Sequence, residues 1–157
     1  MEFEKIESFG KLSDKKNAVE FCWVNWGSKE KYDLRRWSED GVPYKGVTLE
    51  EDEVPKLLEC LKEALDKPKE LESKYTVEIA RRLVDIYDAF GPLAEGEKWC
   101  KYVTFIDWGQ GVKYDVRPWA KGFERCGKGV TLTHEECKTL IEILEDLLEH
   151  DIDIIEE

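Results

Sequence analysis

Basic and aromatic side chains recur in the same order at two places in this chain. The pattern Lys-Tyr-Asp-Leu-Arg-Arg-Trp at residues 31–37 is matched by Lys-Tyr-Asp-Val-Arg-Pro-Trp at residues 113–119. A guanidinium can pair with a phosphate, and an indole that stacks on an exposed base contributes ~1–3 kcal/mol. Because duplex DNA hides the faces of its bases, these residue types predict binding to a single-stranded nucleic acid.

Strand geometry places the basic and indole side chains of this pattern on one face of a sheet. Asp33, Arg35 and Trp37 share one face of the strand. The matching residues of the second pattern, Asp115, Arg117 and Trp119, are of the same types, whereas the residues on the opposite face differ between the two patterns. The predicted nucleic-acid-binding residues are Arg35, Trp37, Arg117 and Trp119, with Lys31, Lys45, Lys113 and Lys128 as further phosphate ligands.

A structural role for the same residues is an open alternative. Trp37 and Trp119 can equally be core residues, and each Asp and Arg two positions apart can form an ion pair that holds the strands together. Lys45 and Lys128 each precede a glycine and can be ordinary turn residues.

The segments around these residues predict an α+β fold of two tandem repeats, each with four strands followed by one helix. The predicted strands are 3–12, 21–26, 32–37 and 45–49, then 83–90, 103–108, 113–119 and 129–132. Leucine-rich stripes predict helices over 54–65 and 137–148. Asp52 is the expected cap of the first helix, and Thr133 with Glu136 forms a capping-box pattern before the second. A repeat of this size buries little surface alone, so the two are expected to pack together.

The predicted organisation has four parts. Residues 1–66 form the first repeat, 67–82 a linker, 83–150 the second repeat and 151–157 an acidic tail. Within the linker, Leu71, Tyr75 and Ile79 recur every four residues, and Leu83 continues the pattern, which is typical of a helix.

The composition excludes several classes of protein. No two of the five cysteines are spaced as CxxC, and His134 with Cys137 lacks a partner pair, so neither a metal nor a cofactor is expected. No nucleophile–base pair, paired carboxylates or phosphate-binding glycine loop stands out, so an enzyme is not expected. The odd number of cysteines and the absence of an apolar leader or a long apolar run predict a cytoplasmic protein without a membrane span.

The net charge of −12 is the main observation against a nucleic-acid binder. Charges separated by more than ~8 Å are largely screened at physiological salt, so a local basic patch can outweigh the total.

The strand pattern, the Lys-Gly-Val-Thr-Leu segments at 45–49 and 128–132 and the leucine-rich helices together resemble the transcriptional positive cofactor 4 family, most closely its bacterial members. The likeness covers residues 3–65 and 83–149. It implies curved four-stranded antiparallel sheets, each followed by a helix, packed here as an intrachain pseudo-dimer in a monomeric chain. It also implies single-stranded DNA binding without catalysis, with DNA contacts from Arg35, Trp37, Lys45, Arg117, Trp119 and Lys128.

The predicted function is therefore single-stranded DNA binding in transcription, replication or repair, with RNA left open because stacking does not sense the 2′-hydroxyl. The alternative is an acidic protein–protein interaction module on the same fold that has lost nucleic-acid binding and prefers a basic protein partner.

Overall fold

The computed structural model describes residues 3–67 and 74–156, with side chains described as far as Glu149. A first antiparallel sheet has the strand order β1-β2-β3-β4 and is followed by a helix. Its elements are β1 Phe3–Lys11, β2 Val19–Trp26, β3 Lys29–Trp37, β4 Pro43–Leu49 and α1 Glu53–Asp66. These four strands and α1 lie where the alternating and helical patterns of the sequence predict them.

A second antiparallel sheet has the strand order β5-β6-β7-β8-β9 and is followed by a longer helix. Its elements are β5 Tyr75–Ile79, β6 Arg82–Phe90, β7 Trp99–Asp107, β8 Val112–Ala120, a 3₁₀ turn Lys121–Phe123, β9 Val130–Leu132 and α2 His134–Glu156. The α+β class is therefore confirmed. The segment 151–156, predicted to be an acidic tail, is the last part of α2, and Glu157 lies outside the described residues.

The prediction of two matched repeats, each with a four-stranded sheet, is wrong. The first sheet has four strands and the second has five, so the two sheets are not a matched pair and do not form the expected pseudo-dimer. The additional strand, β5, lies inside the predicted linker, where a helix was the alternative; residues 68–73, including Leu71, are outside the described part of the chain. Val77 and Ile79 of β5 pack on the buried cluster around Trp119, and this burial favours a strand over a helix.

Both sheets and both helices share one apolar core. Phe21 and Leu34 of the first sheet, Val103 of the second and the stripes of α1 and α2 belong to the same buried cluster. Ile143 of α2 packs on Gly10 of β1, where an added Cβ would lie only 2.9 Å from the Ile143 Cδ1 atom. The core therefore fixes the two sheets relative to each other.

The two helices begin with similar side-chain interactions. The capping box is confirmed, because the Thr133 N–H donates to Glu136 Oε1 at 2.9 Å and the Glu136 N–H donates to Thr133 Oγ1 at 3.1 Å. At α1, Asp52 occupies the cap position without a side-chain capping hydrogen bond. Glu53 caps this end instead, because its Oε1 accepts the Glu50 N–H at 2.8 Å.

Within the described ranges, neither helix combines the length and the apolar character that crossing a bilayer requires.

Glycines allow β4 and β9 to approach their neighbouring strands closely. Gly46 lies opposite Arg35 on β3, and a Cβ added to Gly46 would overlap the Arg35 Cβ. Gly129, just before β9, has the same relation to Arg117 on β8. The glycines that follow Lys45 and Lys128 are therefore required for close packing of the strands.

We expect Gly129→Ala to lower the free energy of unfolding by about 1–3 kcal/mol, the usual cost of forcing an extra methyl into a packed site. Urea unfolding followed by tryptophan fluorescence measures the loss. Gly41→Asn is the control, because Gly41 has open space around it and a φ of 83° that asparagine tolerates. Equal losses in the two variants would contradict the packing role.

Candidate nucleic-acid interface

A buried aspartate holds an arginine two residues later on each of β3 and β8. On β3, Arg35 Nε donates to the two carboxylate oxygens of Asp33 at 2.8 and 3.0 Å. Arg35 Nη1 also donates to the Tyr44 carbonyl at 2.9 Å, which ties β3 to β4. The alternative that Asp33 and Arg35 form an ion pair is thus confirmed.

The pair on β8 has more hydrogen bonds. Arg117 Nη2 donates to Asp115 Oδ2 at 2.9 Å, and Thr131 Oγ1 and Trp108 Nε1 donate to the same oxygen at 2.8 and 3.1 Å. Arg117 Nη1 donates to the Gly127 carbonyl at 3.4 Å. Since every partner of this carboxylate is a donor, its ionised form fits the site.

Burial and charge pull the pKa values of these groups in opposite directions. Burial raises the pKa of Asp33 above its usual value, and the adjacent Arg35 guanidinium limits the rise. Burial by itself lowers the pKa of Arg117, but the hydrogen bonds and charge of Asp115 outweigh it, so this pKa lies above its ordinary value. Arg117 therefore keeps its positive charge although its side chain is mostly buried.

The stacking role predicted for Trp37 and Trp119 is wrong, because the two side chains are only 4% and 1% exposed. Trp37 packs with Cys22 and Val24 under Phe3, whose ring centroid lies 5.7 Å from its own. Trp119 belongs to a separate buried cluster of the second sheet, on which Val77 and Ile79 of β5 pack, and the ring centroid of Phe123 lies 5.5 Å from its own. Both indoles are core residues, since the N-terminal end of β1 and the extra strand β5 cover the faces that carry them.

An open groove of about 630 Å³ lies between β4 of the first sheet and β9 of the second. We call it the inter-sheet groove. It is lined by Arg35, Arg36, Pro43, Tyr44, Lys45, Lys128, Gly129, Val130 and Thr131.

A second cavity of about 440 Å³ adjoins the first and shares Arg36 and Thr131 with it. We call it the helix-end cleft, because Thr133 and Glu136 at the start of α2 form one wall. Its other lining residues are Lys15, Arg82, Trp108, Gln110, Gly111, Lys113 and Arg117. The two cavities form one continuous surface across the junction of the sheets.

The structure brings most of the predicted site residues to this surface. They are Arg35 and the two lysines Lys45 and Lys128 in the inter-sheet groove, with Lys113 and Arg117 in the helix-end cleft. Lys31 is not among the lining residues and pairs with Glu50 at 2.7 Å. The sequence reasoning missed Lys15, Arg36, Tyr44, Arg82 and Trp108. The basic pairs Lys15-Lys16 and Arg81-Arg82 were the signals that could have indicated two of them.

The charge of this surface is strongly positive. Among the described residues, Lys15, Lys45, Arg82, Lys113 and Lys128 have no ion-pair partner, and Glu136 is the single acidic side chain that lines either cavity. Cationic side chains that converge on a concave surface raise the local concentration of anions. The site can therefore bind a polyanion although the chain as a whole carries a charge of −12.

No group of three or more metal-ligating side chains occurs in the part of the chain that the structure describes. A comparison with protein-family models gives no match, and a search of curated proteins finds no similar sequence.

We expect Asp115→Asn to lower the free energy of unfolding by about 3 kcal/mol, because it leaves the mostly buried Arg117 charge without a counter-charge. Chemical denaturation measures the change. Asp85→Asn is the control, since Asp85 accepts a hydrogen bond from Thr76 at the surface and should cost under about 1 kcal/mol. Comparable losses would contradict a structural role for the Asp115–Arg117 pair.

Thiol labelling tests the burial of the Trp37 cluster. Burial and the nearby charge of Glu20 raise the pKa of Cys22 to about 12, so this thiol stays protonated at pH 8. Cys100 is only half-buried. We expect iodoacetamide at pH 8 to label Cys100 in the native protein and to label Cys22 only after unfolding, as measured by peptide mass spectrometry. Rapid native labelling of Cys22 would show that the Trp37 face is open.

Proposed function

We propose that the chain binds single-stranded nucleic acid, with single-stranded DNA as the main ligand, along the inter-sheet groove and the helix-end cleft. The observation that carries the proposal is the convergence of lysines without ion-pair partners on one concave surface of an acidic chain. Lysine and arginine contacts to phosphates supply most of the affinity of sequence-independent binding. The resemblance to the positive cofactor 4 family supports the same class of ligand.

The groove also carries an aromatic side chain that a base can reach. Tyr44 lines the inter-sheet groove and is 47% exposed, and it lies next to Lys45 on β4. An exposed ring beside a cation suits a strand whose bases are unstacked and whose phosphates run along the groove. Tyr44 thus takes the stacking role that burial removes from Trp37 and Trp119.

Phosphate contacts come from both sides of the groove. Lys45 extends from β4, and Lys128 precedes β9 on the facing side. The charges of Arg35 and Arg117 are compensated by Asp33 and Asp115, so the lysines supply the positive charge that is available to phosphates. Lys113 and Arg82 extend the path into the helix-end cleft.

The same surface disfavours the alternative of a basic protein partner, because like charges brought together across an interface repel. RNA remains a second nucleic-acid ligand, since neither stacking nor phosphate pairing requires a deoxyribose. A role in transcription, replication or repair and a cytoplasmic location form part of the proposal. The five unpaired cysteines support that location.

Fluorescence anisotropy with labelled oligo-dT tests the proposal. We expect binding that weakens with salt, with a slope of about −0.7 per phosphate neutralised. The double variant Lys45→Glu/Lys128→Glu should lose at least about tenfold in affinity and show a shallower slope, because each lysine supplies a charged hydrogen bond.

The matched control is Lys98→Glu/Lys121→Glu. It makes the same change in net charge at two exposed lysines that line neither cavity. This variant should bind within about twofold to threefold of the parent, since neither lysine lines the proposed path and exposed charges are screened by salt. Absence of binding at low salt, or equal losses in both double variants, would reject the proposed site.

A further inference from the structure

Three arginines near the junction of the sheets are tied to the main chain in the same way. In each of them Nη1 donates to a carbonyl oxygen, at 2.9 Å in Arg35, 3.4 Å in Arg117 and 2.6 Å in Arg36. In Arg35 and Arg117 the Nε side of the guanidinium is occupied by the carboxylate of the aspartate two residues earlier. Arg36, by contrast, forms no ion pair with any acidic residue that the structure describes. Its carbonyl partner is neutral, so its positive charge is not compensated.

The unoccupied side of the Arg36 guanidinium is open to solvent. Within the described ranges, Nε and Nη2 of Arg36 have no hydrogen-bond partner, and the buried polar side-chain atoms that lack a partner all belong to other residues. The two atoms are therefore accessible to a ligand. The hydrogen bond from Nη1 to the Asn17 carbonyl restrains the side chain, so less conformational freedom is lost when a ligand binds.

Arg36 lies where the inter-sheet groove meets the helix-end cleft. It lines both cavities, with Thr131 as the other shared lining residue. The Thr131 hydroxyl donates its hydrogen to a buried carboxylate, so Arg36 is the shared residue that still offers donors. The β3–β4 register shifts between Arg35 and Trp37, and an irregularity of this kind redirects the side chain at its position. The second sequence pattern has Pro118 at the corresponding position and supplies no matching cation.

The donors of Arg36 suit an anion with two oxygens side by side. The Nε–Nη2 edge of a guanidinium presents two parallel N–H groups, which match the oxygens of a phosphate or a carboxylate. A strand that follows the proposed path from Lys45 and Lys128 into the helix-end cleft passes Arg36, which borders both cavities. The exposed ring of Tyr44 in the same groove favours a nucleic acid over an acidic peptide, because a base can stack on it beside the phosphate contact.

We propose that the Nε–Nη2 edge of Arg36 binds one phosphodiester group in a bidentate manner, at the point where the strand passes from the inter-sheet groove into the helix-end cleft. The inference rests on the proposed function and deepens it, because it assigns one fixed phosphate position to a path otherwise bordered by lysines. A lysine binds phosphate as a point charge, whereas the planar guanidinium also fixes the orientation of the phosphate. Arg36 therefore sets the direction of the bound backbone at the junction of the sheets.

Binding of labelled oligo-dT across a salt series separates the charge of Arg36 from its geometry. Arg36→Gln removes both, so the affinity should fall about tenfold and the salt slope should become shallower by about 0.7, the value for one phosphate. Arg36→Lys keeps the charge but loses the pair of parallel donors, so the affinity should fall about threefold while the slope stays unchanged. Fluorescence anisotropy measures both quantities.

Arg125→Gln is the matched control, because it makes the same change in net charge at an exposed arginine that lines neither cavity. It should bind within about twofold of the parent and keep the parent's slope, since exposed charges are screened by salt. Urea unfolding of each variant measures separately the cost of losing the hydrogen bond to the Asn17 carbonyl. A purely structural role of Arg36 would lower the free energy of unfolding and leave the salt slope unchanged.

Arginine modification tests the same edge in the unaltered protein. We expect phenylglyoxal to label Arg36 in the free protein and to label Arg35 and Arg117 only after unfolding, because buried carboxylates occupy those two guanidiniums. Bound oligo-dT should protect Arg36 and leave Arg125 reactive, as measured by peptide mass spectrometry. Inorganic phosphate or poly-L-glutamate at the same concentration of anionic groups should protect Arg36 less.

The outcomes separate the two proposals. Failure of the parent protein to bind oligo-dT at low salt rejects the proposed function itself. If the parent binds and Arg36→Gln matches it in affinity and slope, the function stands and the Arg36 phosphate site is overturned. Labelling of Arg36 that oligo-dT does not reduce, or equal protection by inorganic phosphate or poly-L-glutamate, also overturns the site, whether or not the variants fold.

Discussion

The buried ion pairs Asp33–Arg35 and Asp115–Arg117 are the constraint on which the groove depends. Removing these charges from water is costly, and the cost is offset because both guanidiniums and the Asp115 carboxylate find further partners in the neighbouring segments. Arg35 reaches the Tyr44 carbonyl, and Thr131 donates to Asp115, so each pair fixes the strand that follows it in the sheet. The pairs thereby position the two sides of the inter-sheet groove and the lysines beside them.

A shared apolar core brings the regions around the two ion pairs together at one surface. Because α1 and α2 pack in the same apolar cluster as both sheets, β4 and β9 are held next to each other, with Lys45 on β4 and Lys128 just before β9 lining the same groove. Lysines that are far apart in sequence, such as Lys45 and Lys128, therefore line the same groove. The acidic excess of the chain does not prevent this, since most acids lie outside the groove and the helix-end cleft.

Local patterns in the sequence were reliable guides to local structure. Alternation located β3 and β8, and the Thr133–Glu136 box marked the start of α2. The same patterns failed where the answer depended on distant residues. Alternation places Trp37 and Trp119 on the arginine face of each strand, but it does not reveal that Phe3 and β5 cover those faces.

Residue types and spacing alone predicted the α+β class and offered the Asp–Arg ion pairs as an alternative, since both arise from contacts within a strand or between adjacent strands. Only the structure showed that the glycines after Lys45 and Lys128 are required for close packing of the strands. Packing decided which side chains line the two cavities. Burial keeps the indoles of Trp37 and Trp119 away from the surface of the cavities. The approach of the two sheets places Arg36, Tyr44 and Arg82 on that surface, although these residues belong to no common motif. The reason is physical: exposure and convergence are properties of surfaces built from segments far apart in the chain, and no local pattern encodes them.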